Sequence, residues 1–351
     1  MEAFSVVLPS FHRRHRCSIG SLLVQARFSA FLCLFCSVGA ASFRPPSRGC
    51  RRSSSSRAMA DPPHAAAEII HSTSFLSPSS EPDGVPNGVI ILNYPIRSYT
   101  DGPGGNPLLE ALLNTCTPGL LLCADGGGGR LYAYDAPRRD AELPASVPDA
   151  IIGDLDSLSD DVRSYYEGRR TAHGGRCAVL RDRCQDSNDL TKALAEMGRR
   201  MAALCDGTGT VGRVSVYGAF GGRLDQMAAA LNALHRWPGT GGPPASLRLF
   251  SDDCSAVLLR PGVTNVVRLH APWEDGGSCG LLPLGGACSV VTTGLRWDLD
   301  GTVPLAFGGL VSSSNAVKEN QSGYVDVIVE TDAPLVWTVS LRETQFSGIH
   351  V

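Results

Sequence analysis

Six carboxylates stand where short apolar runs end. Asp125 closes the run 119–125 and leads into four consecutive glycines, Gly126 to Gly129. Asp154 ends the next run, 150–154, and Asp156 follows two residues later. Asp186 and Asp189 are three apart at the head of a helical pattern, a spacing that puts both on one side of a first turn. Asp225 follows the glycine-rich stretch 218–223. So many acids at one edge would repel one another unless cations shared the site. Magnesium suits such a place, because it takes hard oxygen ligands and bridges carboxylates to substrate phosphates. Singly, each acid reads as a helix cap or a solvated loop residue, and Asp186 and Asp189 are good capping candidates. Taken as a set beside glycine runs, they point to metal–phosphate chemistry.

The glycines point the same way. Gly221 and Gly222 permit close backbone approach, and exposed amides there can hold phosphate oxygens. Arg130 and Arg223 follow the two glycine runs and could clamp phosphate through their guanidinium forks, or be plain surface arginines. No Gly-Lys-Ser/Thr follows either run, so neither is a Walker loop. The strand 89–92 leads into Asn93-Tyr94-Pro95, not into a dinucleotide-binding glycine fingerprint.

The elements that must hold these residues alternate. Strands are predicted over 89–92, 119–125, 150–154, 177–180 and 214–217, with helices over 107–114, 187–204 and 224–237. This alternation implies an open parallel sheet, whose ligands bind at the carboxyl ends of its strands. The stretch 238–244 is rich in Pro and Gly and reads as a linker. Beyond it the helical period disappears, and short strands are predicted over 247–250, 256–259, 265–269, 288–292, 305–307, 324–329 and 336–341. The expected fold is therefore an N-terminal α/β domain over 87–240, with an open parallel sheet. An all-β sandwich or barrel follows over 245–344.

Composition narrows the options. The 351 residues carry a net charge of −3, but residues 1–58 hold nine arginines and one acid. The body is strongly acidic and holds the only two lysines, Lys192 and Lys318. Such a body does not suit a nucleic-acid binder. No stretch is apolar for long enough to predict a membrane span. Residues 1–86 read as a tail without structure of its own. Its Arg- and Ser-rich first part resembles an organellar transit peptide, whereas Met59 would make an ordinary cytosolic start. The cytosol is expected, with plastid or mitochondrion as the alternative. The twelve cysteines are scattered and read as free thiols.

The strings Ala124-Asp125-Gly126-Gly127, Ile151-Ile152-Gly153-Asp154-Leu155-Asp156-Ser157 and Gln185-Asp186-Ser187-Asn188-Asp189-Leu190-Thr191-Lys192 resemble thiamine pyrophosphokinases. So do 218–225, Thr293-Gly294-Leu295-Arg296-Trp297-Asp298 and 307–315, so that the resemblance covers roughly 88–342 in order. It implies transfer of the pyrophosphoryl group of ATP to the hydroxyethyl oxygen of thiamine, giving thiamine diphosphate and AMP. It implies a homodimer with thiamine where the subunits meet. By motif, Asp125, Asp154, Asp156, Asp186 and Asp189 become the magnesium, phosphate and substrate residues, with Asp154, Asp156 and Asp186 as the metal ligands. Gln185 and Asn188 would lie beside the nucleotide or thiamine. Trp297 would stack on the cationic thiazolium, as a Trp face favours, and Ser312, Ser314 and Asn315 would line that pocket. Asp189 and Asp225 are alternatives for accepting the hydroxyl proton.

Three positions depart from the pattern. Asn188 stands where Thr is usual, Gln226 where His is usual, and Tyr217 where Thr is usual. Tyr217, the bulkiest change, is expected to narrow the nucleotide side. Two other functions fit parts of the sequence. One is a catalytically weak thiamine-binding or sensing protein. The other is a diphosphotransferase acting on another alcohol, such as a pterin, for which the C-terminal Trp and Ser region gives no support.

Overall fold

A computed structural model describes residues 67–77, 84–98, 105–115, 119–205, 212–237, 245–270, 274–320 and 323–341. Residues 1–58, with the transit-peptide-like composition, and the expected linker 238–244 lie outside the described residues. The chain begins with β1 (Glu68–Ser72) and a single 3-10 turn (Ser74–Leu76). It then alternates β2 (Asn87–Ile91), α1 (Pro107–Asn114), β3 (Gly119–Ala124), α2 (Gly127–Tyr134), α3 (Ala136–Asp140), β4 (Ala150–Gly153) and α4 (Asp160–Tyr166). The alternation continues through β5 (Ala178–Arg181), α5 (Asp189–Cys205), β6 (Gly212–Tyr217), α6 (Leu224–Arg236) and β7 (Ala245–Phe250). After that only strands follow: β8 (Cys254–Leu259), β9 (Thr264–Arg268), β10 (Glu274–Leu282), β11 (Val290–Thr293) and β12 (Ser312–Asn315). Last come β13 (Glu319–Asn320), β14 (Gly323–Tyr324), β15 (Val327–Thr331) and β16 (Leu335–Leu341).

The strand periodicity sorts side chains to two faces. In β3, Leu120, Leu122 and Ala124 enter one apolar layer with α5 and α6, and Leu121 and Cys123 enter the other with α1 and α4. All six residues of β3 are buried, as a strand covered on both faces requires. Helix α5 buries Leu190, Ala193, Leu194, Met197 and Met201 along one stripe. Helix α1 starts where predicted: Pro107 is at its first turn, and the Asn106 side chain accepts from Leu109 N at 2.9 Å.

Strands β7, β6, β2, β3, β4 and β5 are mutually parallel, in that order. The same sheet continues past β7, through antiparallel β8, β16, β10 and β12, to ten strands. The expected division at 240–245 therefore falls inside one continuous sheet. Its antiparallel half packs Val257, Leu281, Leu335 and Trp337 against Val267, Val290, Val327 and Val329 of a second sheet, ordered β1, β9, β15, β11. This is the sandwich expected for the C-terminal part.

Three sequence expectations are corrected. The tail predicted through 86 contains β1, which pairs in parallel with β9. Only Ile69 and Ile70 mark it locally; a partner about two hundred residues away makes it a strand, with His71 Nε2 bonded to Asn265 Oδ1 at 3.2 Å. β10 and β12 are strands where none was predicted, because glycine and serine dominate them. Residues 305–307 form no strand, only isolated bridges from Leu305 to Cys288 and to Leu310. The cysteines Cys123, Cys177, Cys184, Cys254, Cys279 and Cys288 are free, as expected.

Candidate active site

Parallel strands send their carboxyl ends to one edge. The chain runs outward from β2 through β3 and β4 to β5, then returns to β6 on the other side of β2. That reversal is where an open α/β sheet leaves a crevice. A cleft of about 640 Å³ lies there. Its walls are Asn93 to Pro95 after β2, Asp125 after β3, Asp154, Asp156 and Ser157 after β4, Asn188 and Asp189 at α5, and Gly218, Ala219 and Gly221 to Arg223 after β6.

Carboxylate oxygens of Asp125, Asp154 and Asp189 lie within 4.8 Å of one another. Asp125 takes the left-handed backbone, φ 43°, as the chain turns from β3 into α2, and only 2% of its surface is exposed. Its Oδ2 accepts from Ser157 N at 3.2 Å, and its buried Oδ1 has no hydrogen-bond partner. Burial pushes the Asp125 carboxyl above the usual carboxylate range, and Asp189 adds to the shift. Burial also raises Asp189, opposed by Lys192, whose buried Nζ stands 3.5 Å from Asp189 Oδ1. Three clustered carboxylates, one with an orphaned buried oxygen, have the donor chemistry of a divalent-cation site.

The predicted residues separate here. Asn188 caps α5, its Oδ1 accepting from Thr191 N and Oγ1, both at 2.8 Å. The helix therefore starts at Asp189, and Asp186 lies before the cap, exposed and outside the cluster. The expected sharing of one helical turn by Asp186 and Asp189 does not occur. Asp156 is exposed on the cleft wall; its Oδ1 accepts from Ser157 Oγ, and its N donates to Asp154 Oδ1 at 3.3 Å. Of the three expected metal ligands, only Asp154 is in the cluster, which Asp125 and Asp189 complete. Gln185 is exposed and bonds back to Arg183 O. Arg130 donates to Asn93 Oδ1 at 2.9 Å. Asp225 is exposed and paired with Arg223, which holds its carboxyl below the usual range.

Gly221 has φ 102°, and a Cβ there would meet the hydroxyl of Tyr94. The glycine loop thus packs closely on the Tyr94 ring along the cleft, and the positive φ with this close approach favours glycine at 221. Asn93 and Tyr94 were not singled out by sequence for the site. The signal was present, since they follow β2 at the same sheet edge as the acids. Tyr217 does not narrow the cleft. As the last residue of β6 it points to the opposite layer, where its hydroxyl bonds Asp252 and Asn106.

Trp297, Ser312 and Asn315 come together elsewhere. Asn315 Nδ2 donates to Trp297 O at 2.9 Å and to Ser312 Oγ at 3.3 Å, and its Oδ1 accepts from Trp297 N at 3.3 Å. The Trp297 side chain stays exposed, and Ser314, next to Asn315 in the chain, has φ 57°. None of these four residues lines the acidic cleft.

Comparison with known proteins matches both halves of the chain. A model of the thiamin pyrophosphokinase catalytic domain matches residues 111–241, and one of the thiamin pyrophosphokinase vitamin B1 binding domain matches 266–336. The chain belongs to the thiamin pyrophosphokinase family. Thiamine pyrophosphokinase 1 of Arabidopsis thaliana is 35% identical over 286 residues, covering 80% of this chain and 96% of the relative. Thiamine pyrophosphokinase 2 of the same plant is 34% identical over 282 residues, covering 79% and 94%. The solved thiamin pyrophosphokinase from Candida albicans superposes with a TM-score of 0.58 at 25% identity, covering 79% of this chain and 93% of that one. Membership places the chain in an enzyme family whose reaction is ATP-dependent pyrophosphoryl transfer to thiamine. The two family models divide the chain close to where the sheet turns from parallel to antiparallel.

Proposed function

We propose that the acidic cleft of this thiamin pyrophosphokinase family member binds ATP with magnesium and passes the β,γ-pyrophosphoryl group to the hydroxyethyl oxygen of thiamine. Thiamine diphosphate and AMP are the products. The observation that carries the reading is the cluster of Asp125, Asp154 and Asp189 at the sheet's reversal point, beside a glycine loop. Those three carboxylates would hold magnesium, with Asp156 at the rim. When bound, the ion neutralises phosphate charge and polarises phosphorus. The amides of 218–222 and the guanidinium of Arg223 would orient the phosphates, since phosphoryl transfer needs positioning and charge stabilisation more than covalent help. Asp225, which Arg223 holds low, is a weak proton acceptor, and Asp189 could take the hydroxyl proton only through an oxygen that the ion leaves free.

The thiamine pocket is assigned to Trp297, Ser312, Ser314 and Asn315, completed by a second copy of the chain in a homodimer. Exposed apolar side chains support this: Trp297 at 55%, Val303 at 58% and Phe307 at 64%. The proposed compartment is the cytosol, with a plastid or mitochondrial address in 1–58 as the alternative. A fluorescent fusion of that segment separates the two.

The test incubates the purified chain with ATP, magnesium and thiamine and separates the products by chromatography. Equal amounts of thiamine diphosphate and AMP, both lost without the metal, are expected. ADP in place of AMP would overturn the reading.

A further inference from the structure

A second hollow, of about 450 Å³, opens between α3 and α4, away from the acidic cleft. Its volume is within the range that holds small ligands. Two guanidiniums line it, and both are held in place. Arg139 lies 3.6 Å over the Tyr132 ring, and its Nη1 donates to Tyr132 O at 2.5 Å. Arg169 lies 3.8 Å over the Tyr165 ring, and its Nε donates to Tyr165 O at 2.8 Å. The two rings meet edge to face, with centroids 4.8 Å apart. The tyrosine pair is thus a common support for both cations.

The same hollow has an apolar wall, Leu143 and Pro144, and one acid, Glu142. Glu142 is held in the left-handed region at φ 56°, where Leu143 N reaches back to Arg138 O at 2.8 Å. Among the described residues, neither Arg139 nor Arg169 makes an ion pair. Each of the two stacked guanidiniums spends one N–H on a backbone carbonyl and has four more, in a planar fork suited to a phosphate or carboxylate.

We infer that this hollow is a second ligand site, for a phosphate ester that carries an amino-substituted heterocycle. The phosphate would lie on Arg139 and Arg169. The ring would rest on Leu143 and Pro144, and its exocyclic amine would donate to Glu142. A bare multivalent anion fits less well, because Glu142 shares the wall. Nucleoside monophosphates and phosphorylated aminopyrimidines have this chemistry. The site stands independently of the reaction proposed above; only the choice of probes follows from it.

Calorimetric titration of the full chain with AMP, with thiamine diphosphate and with inorganic phosphate tests the inference, alongside the structure of the chain with the tighter organic probe. We expect one organic probe to bind at two places, the second in contact with Arg139 and Arg169. Arg169→Gln, at an exposed position, weakens that second event at least tenfold while the first is unchanged. The double variant Arg139→Gln, Arg169→Gln abolishes it. Which probe gives the second event distinguishes the nucleotide from the aminopyrimidine. Binding of neither organic probe in the hollow, an unchanged second event in Arg169→Gln, or phosphate alone binding as tightly as both would overturn the proposal. Thiamine diphosphate formation, assayed in the same preparations, tests the acidic cleft separately.

Discussion

A Cβ on Gly153 would stand 2.6 Å from the Cβ of Asp125 and 3.1 Å from Asp189 Oδ1. The acidic cluster closes only because residue 153, at the end of β4, has no side chain. Gly153→Ala must displace Asp125 or Asp189, since the obstructing atom is attached directly to the backbone. We expect turnover to fall at least about a hundredfold, with an overpacking loss of roughly 1–3 kcal/mol in stability. Steady-state assays and urea unfolding measure the two. Near-normal turnover would show that the cluster tolerates a shift of that size.

Lys192 provides a buried positive charge at 3.5 Å from Asp189. Lys192→Met keeps the volume and removes the charge, which leaves three carboxylates to repel one another. A divalent cation then relieves more repulsion than it does in the parent protein. The rise in Tm on adding magnesium chloride should therefore be larger in the variant. An equal or smaller rise would mean that Lys192 does not share the field of the cluster.

His71 gives a pH dependence of known sign. Burial, with Arg248 nearby, lowers its pKa to about 4. Asn265 turns its amide N–H groups toward carbonyls, so its Oδ1 accepts and His71 Nε2 donates, the neutral tautomer. Below the ordinary histidine value near 6.5 the unfolded chain takes up a proton that the folded one refuses. Stability is thus lost as pH falls from about 6.5 toward 4, by about 3 kcal/mol from this group. His71→Gln should flatten that limb, seen as a smaller change in urea midpoint between pH 7 and pH 4.5. An identical change in both proteins would remove His71 as its source.

Trp297 separates binding from folding. Its side chain is more than half exposed, so Trp297→Ala should change stability by no more than about 0.5 kcal/mol. If it stacks on thiazolium, KM for thiamine rises about tenfold or more, while KM for ATP is unchanged. A parallel rise in both constants would count against the stacking assignment.

Much of this protein was legible in order along the chain. Buried runs such as Gly119–Ala124 and Ala150–Gly153 are apolar on both faces, and the helices between them carry one apolar stripe. Local pattern of that kind specifies a covered parallel sheet, and a parallel sheet directs its carboxyl ends, and hence Asp125 and Asp154, to one edge. β1, β10 and β12 were not legible, because residues far along the chain make them strands and their own composition does not.

Family, two-part architecture and the set of acids from which a metal site could be drawn are all readable from motifs and local pattern along the chain. Tertiary structure alone decided which acids meet. The Asn188 cap starts α5 at Asp189, three residues past Asp186, which therefore cannot share its first turn, and the bare Cα of Gly153 lets Asp125 and Asp189 approach. It also decided that one sheet spans both parts, that Tyr217 faces away from the cleft, and that two arginines stack on a tyrosine pair. Spacing along a chain constrains neighbours within a turn or a strand. Meetings between distant segments depend on packing, where tenths of an ångström and a single missing methyl decide the outcome.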